Sequence, residues 1–529
     1  MTFVDLSFVV FLVAVAILYY VFPRNYRWVV LLAGSLTFFY LNSGYLLLVL
    51  LGTTIFTYLI ARRIQAISDA GKQEAARKRL AGADKKRIKL QTKKKCKPYL
   101  VFGVLVDLGV LLYLKYYNFF AENANVLLAS QNVHLPHLNL LLPIGISFYT
   151  LQAIAYMTDV YRGKIQADTN IAKFTLFMSY FPQIVQGPIP RHKQLANQLY
   201  EGHSFDYVRL CHGCQLMIWG WFQKLVIADR IAVPVDLIYN NYSDYHGLMV
   251  FLAAAGYGLQ VYADFQGGMD IARGFSQVLG IELELNFNQP YFSRSIEEFW
   301  RRWHMTLGSW MRDYVFYPLS LSKSFVGISR VSRKVLGGFV GKRLPPIMAM
   351  FIVYFLVGFW HGAEWKYIAY GVWNGVFIVA GILLPEAYQK ICDVLHIRRD
   401  SFGWRAFQVL RTFCLCTLGR LFSRGTDLTA AVQMFKSIGT EWWDVAFLLD
   451  GTLKTLGLDA ANWILLIACI VGLYFIDSLH ERGVHIRESI DRQHIVFRWV
   501  IYLLAIDAII IFGIYGPGYD SATFIYEQF

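Results

Sequence analysis

The sequence predicts an all-α, polytopic integral membrane protein. Of its 529 residues, 56% are hydrophobic and only 16% are charged, whereas a soluble protein of this length would carry more charge. Apolar segments recur from end to end, and many approach the length that crosses a bilayer. These observations indicate a single membrane domain, 1–529, with no separate soluble domain. Segment 5–22 is expected to be the first span rather than a cleavable signal, because no small-residue cleavage site follows it.

The apolar segments give the candidate spans in chain order. They are 5–22, 28–42, 45–61, 99–118, 138–157, 172–188, 207–228, 247–264, 346–360, 366–384, 405–422, 460–477 and 495–515. Several are short or contain Gly or Pro, and such segments are tolerated at membrane depth as re-entrant or protein-buried backbone. We therefore predict roughly 11 to 13 spanning or re-entrant helices.

Charge bias predicts the topology. Residues 62–98 contain fourteen Lys or Arg and three Asp or Glu, which is typical of a basic cytoplasmic loop beside anionic lipid and not of a nucleic-acid site. Arg24 and Arg27 follow the first span, so the N-terminus is expected outside the cytoplasm. Segment 425–459 carries few basic residues and is expected outside as well. The same alternation places the C-terminal tail, 516–529, on the extracytoplasmic side.

Segment Tyr180–Arg191 contains three prolines and a glycine, which an ordinary spanning helix does not accommodate. Irregular backbone at membrane depth must be buried in protein or line a wet cavity. A structural kink and the wall of a re-entrant cavity are both compatible with this pattern.

Segment Phe299–Pro318 combines arginines, a histidine and many aromatic residues. Written as one helix, it has an aromatic stripe formed by Trp300, Trp303, Leu307, Trp310, Tyr314 and Tyr317. His304 would lie beside this stripe, partly shielded from water. One interpretation is an interfacial helix with its arginines near lipid phosphates, and this interpretation does not exclude catalysis.

A second histidine, His361, lies at a glycine-marked break between two apolar helices, within Phe359–Asn374. A histidine at bilayer depth is energetically expensive unless it is paired or functional. Neutral imidazole suits a general base that takes a proton from a hydroxyl nucleophile. No metal-ligand constellation, phosphate-binding loop or nucleophile elbow is present, and Cys211 and Cys214 are expected to pack in a helix.

Two blocks carry a family resemblance. RSIEEFWRRWHMTLGSWMRDYVFYPLS, at 294–320, and GFWHGAEWKYIAYGVWNG, at 358–375, resemble the signature blocks of the membrane-bound O-acyltransferase (MBOAT) family. The likeness is to its bacterial branch of alginate and peptidoglycan O-acetylases, related to the D-alanine transferase of teichoic acid. YFPQIVQGPIPR, Tyr262–Gly274 and LGRLFSR are also similar to that branch, so the resemblance covers roughly 90–425.

The resemblance implies a helical bundle with a central cavity that opens to both sides of the membrane. It implies that His361 is the central catalytic histidine and that His304 is a second, cytoplasm-facing one. The expected substrate-positioning residues are Trp303, Asp313, Trp360 and Asn374. It further implies acetyl-CoA as the acyl donor, with no bound cofactor or metal. The candidates for contact with donor phosphates are Arg294, Arg301 and Arg302, although lipid-facing arginines would have the same pattern.

The tail ends in FIYEQF. Phe524, Tyr526 and Phe529 are similar to the F-x-Y-x-x-F motif that ends a small partner protein of the D-alanylation machinery. The sharper hypothesis is that Tyr526 is acylated in the active site and then delivers the acyl group outside. The alternative is an apolar tail that packs on the protein surface.

The expected function is therefore O-acyl transfer, in the bacterial plasma membrane, from a cytoplasmic thioester towards an extracytoplasmic cell-surface or cell-wall polysaccharide. An exported hydrolase-fold (SGNH-type) acetyltransferase is the expected partner, besides membrane lipid. D-alanyl transfer from a carrier protein is the alternative within the enzyme class. A transporter or flippase, or a non-catalytic scaffold for cell-wall enzymes, would share the spans and the broken helices.

Overall fold

The structure is a computed structural model that describes residues 2–79, 81–131 and 134–515. Within these ranges the regular secondary structure is helical, and no β-strand occurs. The prediction of an all-α protein is therefore confirmed.

The α-helices follow one another closely along the chain. The first twelve are α1 (Leu6–Val21), α2 (Arg27–Ser43), α3 (Leu47–Arg77), α4 (Gly82–Leu111), α5 (Tyr117–Leu128), α6 (Ile146–Arg162), α7 (Ile171–Ser179), α8 (Phe181–Ile184), α9 (His192–Tyr200), α10 (Tyr207–Trp221), α11 (Asp229–Asn240) and α12 (Gly247–Val278). The remainder are α13 (Ile296–Arg302), α14 (Met305–Met311), α15 (Tyr317–Ser320), α16 (Lys323–Val335), α17 (Gly337–His361), α18 (Trp365–Leu383), α19 (Pro385–Val394), α20 (Phe402–Arg424), α21 (Leu428–Thr440), α22 (Ala460–Glu481), α23 (Ile486–Asp491) and α24 (Ile495–Phe512). Wider π-helical turns occupy Leu112–Tyr116, Phe222–Ala228 and Arg312–Phe316.

Seven helical stretches of the described chain are long and apolar enough to cross a membrane. They are Arg24–Arg77, Gly82–Leu128, Gly247–Val278, Gly337–His361, Trp365–Leu383, Ala460–Glu481 and Ile495–Phe512. The first of them contains two of the predicted spans, 28–42 and 45–61. By contrast, 138–157 and 172–188 contain shorter helices. The protein is thus a multi-pass membrane protein, as predicted.

The described residues divide into two compact units. The first comprises the residues up to Cys214 together with Ala272–Glu284, and the second comprises Gln215–Ile271 and the residues from Leu285 onward. All predicted site residues within the described ranges belong to the second unit.

In the first unit, α3, α4 and α6 pack against one another. The segment 62–98, predicted as a loop, is instead mostly helical, because α3 continues to Arg77 and α4 begins at Gly82. Its Lys, Arg, Ala and Gln residues are strong helix formers, so the helices continue beyond their apolar parts.

The proline-containing segment Tyr180–Arg191 is irregular except for the single helical turn α8. Protein surrounds it, since its side chains are buried from Tyr180 to Pro190. Part of its backbone bonds to side chains of the same unit, such as the N–H of Phe181, which donates to Ser35 Oγ at 3.2 Å. This irregular backbone is therefore buried in protein, the setting in which such backbone is tolerated at membrane depth.

In the second unit, α17 and α18 approach each other closely where two glycines meet. A Cβ added to Gly358 would lie 2.3 Å from the carbonyl oxygen of Tyr367, and one added to Gly371 would lie 2.3 Å from that of Tyr354. Real Cβ atoms do not approach backbone oxygens so closely, so this contact requires glycine on both helices. The contact lies one turn before the end of α17, at His361.

Candidate active site

The segment Phe299–Pro318 is not the single helix that its aromatic spacing predicted. Helix α13 ends at Arg302, Trp303 is extended, and His304 adopts a left-handed conformation with φ of 46° before α14 begins. The prediction of a continuous aromatic stripe is therefore wrong, and so is the prediction that His304 lies beside it. The sequence of α13 suits a short helix, with Ser295 as N-cap and acids in the first turn, and with arginines in the last turn, where they stabilise a helix end.

Asn286 holds the break in place. Its side-chain oxygen accepts hydrogen bonds from the N–H and the hydroxyl of Thr306, both at 3.0 Å, and lies 3.2 Å from Nδ1 of His304. Its backbone oxygen accepts from the N–H of Met305 at 3.0 Å. A left-handed non-glycine residue costs about 1–3 kcal/mol and persists only where its surroundings enforce it. The hydrogen bonds with Asn286 hold His304 in this left-handed conformation.

The same contacts determine the tautomer of His304. Because the amide oxygen of Asn286 receives the Thr306 N–H, it faces the imidazole as an acceptor, so Nδ1 of His304 must carry the proton. In neutral imidazole the lone pair is then on Nε2. Burial lowers the pKa of His304 well below its usual value, and the charge that His361 can carry lowers it further. His304 is therefore an uncharged, oriented imidazole.

Rings enclose His304, which is 1% exposed. Phe265 from α12 packs edge-on against it at 5.0 Å between ring centroids, and Trp360 from α17 lies at 5.6 Å. This apolar enclosure, and not the lipid interface, is what shields the imidazole from water.

His361 is the last residue of α17, at the predicted glycine-marked break. It retains partial exposure, unlike His304. Its ring lies 5.1 Å from the indole of Trp360 and 6.0 Å, edge-on, from Tyr370 of α18. The following Gly362 lets the chain pass against Tyr367, because a Cβ there would lie 2.2 Å from that ring. Both histidines thus pack against one shared indole, that of Trp360.

The predicted positioning residues Trp303 and Asn374 belong to the packing around this pair. Trp303 is buried and stacks on Phe299 at 5.4 Å. Asn374 accepts a hydrogen bond from Nε1 of Trp300 at 3.0 Å and donates to the carbonyl of Tyr370 at 2.9 Å. Asn374 therefore links α13 to α18 through a hydrogen bond. It also bonds to the helical turn that contains Tyr370, the residue whose ring packs on His361.

Asp313 lies in the π-helical turn after α14, partly exposed, and forms an ion pair with its neighbour Arg312 at 3.5 Å. It is separated along the chain from the break at His304 by the whole of α14. Its positioning role, which the family resemblance implies, stays a prediction.

The three arginines predicted to meet donor phosphates lie outside the ring cluster. Arg294 is exposed, and Arg301 is exposed beside Glu297 at 3.7 Å. Arg302 donates to Glu481 at 2.6 Å and to Glu298 at 2.8 Å, so two carboxylates already occupy its guanidinium.

Tyr526, the predicted acyl carrier, lies outside the described residues. Two residues were missed in the sequence analysis. Asn286 is eighteen residues from His304 and shares no periodicity with it, so no sequence pattern connected them. Arg420 lies in the segment LGRLFSR, where its charge within an apolar helix was the available signal.

The sequence is similar to those of known proteins. The profile of the membrane-bound O-acyltransferase family (MBOAT) matches residues 146–332. The chain is 33% identical to a probable alginate O-acetylase of Pseudomonas aeruginosa, over 86% of this chain and 78% of the relative. It is 29% identical to a peptidoglycan O-acetyltransferase of Helicobacter pylori, over 79% and 74%. It is 30% identical to a teichoic acid D-alanyltransferase of Streptococcus thermophilus, over 49% and 60%.

Proposed function

This chain belongs to the membrane-bound O-acyltransferase family and is an O-acyltransferase, and from that premise we propose that it moves an acetyl group from cytoplasmic acetyl-CoA towards an extracytoplasmic glycan. The observation that carries the proposal is the pair His304 and His361 around Trp360. Two relatives named for O-acetylation align over most of the chain, which favours acetyl over D-alanyl as the transferred group.

In the proposed mechanism, His361 is the general base. Its partial exposure allows a hydroxyl nucleophile to approach, and Tyr370 and Trp360 fix the plane of its ring. His361 takes the proton of the hydroxyl, and the hydroxyl oxygen attacks the thioester carbonyl. The carbon–sulfur bond then breaks, and the proton passes from His361 to the departing thiolate, which leaves as a thiol. No net proton is gained or lost.

His304 supports this step as an uncharged neighbour. A protonated imidazole so close to His361 would oppose the formation of imidazolium there, because like charges repel strongly where water is excluded. Burial keeps His304 neutral, so His361 is the group that changes charge.

The hydroxyl acceptor is either the phenol of Tyr526, as an intermediate carrier, or a hydroxyl of the glycan. We favour the carrier, because a phenyl ester is more activated than an alkyl ester and can pass its acyl group on. An exported hydrolase-fold acetyltransferase would then complete the transfer to the polysaccharide. Both ends of the chain would lie outside the cytoplasm of a bacterial cell.

The test uses purified full-length protein and labelled acetyl-CoA. We expect His361→Ala to lower acetyl transfer by about 10²–10⁴-fold, the usual contribution of a general base. Tyr526→Phe should abolish labelling of the C-terminal peptide while thioester binding is retained. The matched control is His246→Ala, since this exposed histidine of the same unit should leave the rate unchanged.

Full transfer by His361→Ala would refute the general-base role. Glycan acetylation at the normal rate by Tyr526→Phe would refute only the carrier. Because the chain is also similar to a D-alanyltransferase, the same protein is offered D-alanyl carrier protein. Transfer of D-alanine in preference to acetyl would overturn the choice of substrate.

A further inference from the structure

Three Lys or Arg residues are buried among the described residues, all in the second unit: Lys224, Arg230 and Arg420. Lys224 has two carboxylates, Asp264 at 2.7 Å and Asp229 at 2.8 Å. Their charges compensate it, as burial in a low-dielectric interior requires.

Arg230 is also satisfied. It donates to the carbonyl oxygens of Val226 and Phe512, both at 2.8 Å, and to the side-chain oxygen of Asn462 at 3.0 Å. Oxygen acceptors therefore surround this guanidinium on several sides.

Arg420, on α20, differs from both. It is 6% exposed, and no carboxylate of the described chain lies within 4 Å of it. Its Nη2 is buried without a hydrogen-bond partner in the described residues. The phenol of Tyr291, an uncharged neighbour of this guanidinium, donates its proton to the carbonyl of Gly258 at 2.6 Å. Arg424, one turn further along the same helix, is by contrast paired with Asp236.

Aromatic faces hold the Arg420 guanidinium. Its central carbon lies 4.6 Å from the ring centroid of Trp303 and 5.7 Å from that of Tyr370. Cation–π contacts recover only part of the hydration free energy that a buried cation loses. An anion would recover more, and the planar fork of arginine is suited to bind two oxygens of a carboxylate or phosphate at once.

The two rings also fix where such an anion would lie. Trp303 immediately precedes His304, and Tyr370 packs on His361. Arg420 therefore contacts the residue next to His304 in the chain and a ring that packs on His361.

We propose that Arg420 forms a buried oxyanion subsite that binds an anionic group of a substrate beside the two histidines. The chemical class is a carboxylate or a phosphate. It has two possible sources: a phosphate of the thioester donor, or, where the transferred acyl group is a dicarboxylic one and not acetyl, the free carboxylate of that group. That the ligand is a substrate rests on the proposed function, whereas anion binding at Arg420 does not.

The first experiment measures binding without catalysis. The unfolding temperature of the purified full-length protein is recorded against inorganic phosphate and against succinate, with chloride at matched ionic strength. We expect a saturable rise for the wild type, its loss in Arg420→Gln, and its retention in Arg424→Gln. Equal stabilisation of wild type and Arg420→Gln, or none in the wild type, would overturn the subsite even if acetyl transfer is demonstrated.

Arg420→Lys covers the case in which the glutamine variant does not fold. It keeps the charge but loses the two-oxygen fork, so the apparent dissociation constant of the anion should rise by about tenfold, as for a lost bidentate contact. An unchanged dissociation constant in Arg420→Lys would contradict recognition by the guanidinium.

The second experiment identifies the source of the anion. If it is a donor phosphate, Arg420→Gln raises the KM for acetyl-CoA but not that for acetyl-pantetheine, which lacks the nucleotide phosphates. If it is an acyl carboxylate, the variant lowers the rate with succinyl-CoA more than that with acetyl-CoA. A variant that loses anion binding yet treats all three donors as the wild type does would refute a role in substrate binding.

Discussion

At the scale of single residues, the conformation of His304 is the most informative feature of the candidate site. A left-handed histidine is strained, and here one amide, that of Asn286, both enforces the backbone and orients the ring. Strain of this kind is commonly retained where it positions a functional group. Residue-level reasoning from the sequence predicted a shielded histidine correctly but could not reveal the amide that fixes its tautomer.

The burial of His304 predicts how stability depends on pH. Its pKa in the folded protein lies well below the value near 6.5 of an exposed histidine, so the unfolded chain binds a proton that the folded chain does not. Stability is therefore complete above about pH 6.5 and falls as the pH decreases below it, by at most about 1.4 kcal/mol per pH unit. We expect His304→Asn, which tolerates the left-handed backbone, to flatten this dependence between pH 7.5 and 5.

The measurement is the unfolding temperature of the purified variants across that range. His246→Asn is the control, because this histidine is exposed. Equal slopes for the wild type and His304→Asn would contradict the prediction.

Asn286→Asp should have the opposite effect on the pKa of His304. A carboxylate beside Nδ1 raises that pKa, so the acidic limb of the pH profile of acyl transfer should move to higher pH.

At the scale of elements, the sequence predicted the helix ends near His361 but not those near His304. Gly362 after an apolar run is a direct signal for a helix end, and α17 does end at His361. In Phe299–Pro318 neither glycine nor proline marks the break, and the aromatic residues recur at helical spacing on both sides of it. The interruption depends on bonds from Asn286 and Asn288, which come from another part of the chain. Tertiary contacts of this kind override local periodicity.

The glycine contact between α17 and α18 predicts an effect on both stability and activity. Gly371→Ala places a Cβ 2.3 Å from the carbonyl oxygen of Tyr354, and a backbone oxygen in a helix cannot move aside. The helices must separate, which costs about 1–3 kcal/mol for overpacking of this type. Because the contact lies one turn from His361, acyl transfer should decrease as well.

Gly381→Ala is the matched control on the same helix, since nothing lies within 4 Å of the added methyl group. Alanine should leave stability unchanged or raise it by up to about 1 kcal/mol through helix propensity. The measurements that test this prediction are the unfolding temperatures and acetyl-transfer rates of the two variants. A Gly371→Ala protein as stable and active as Gly381→Ala would show that the two helices are not in close contact.

At the scale of the whole molecule, composition was sufficient for the fold class, because a chain so rich in apolar segments has few alternatives to a helical membrane bundle. The number of spans was harder to predict. Apolar content marks 172–188 as a candidate, yet it contains the nine-residue α7 and the irregular segment after it, because protein and not lipid surrounds it. Hydropathy cannot distinguish these two apolar environments, and only packing does so.

The membrane topology that the charge bias predicts can be tested across the whole chain. The basic hairpin of α3 and α4 is expected in the cytoplasm, where the thioester donor is, and segment 425–459 on the opposite side. In a variant whose seven cysteines are replaced, Trp443→Cys should react with a membrane-impermeant maleimide in intact cells, since Trp443 is exposed. Lys89→Cys, also exposed, should react only after the membrane is permeabilised. Labelling of Lys89→Cys in intact cells, or protection of Trp443→Cys, would contradict the topology predicted from the charge bias.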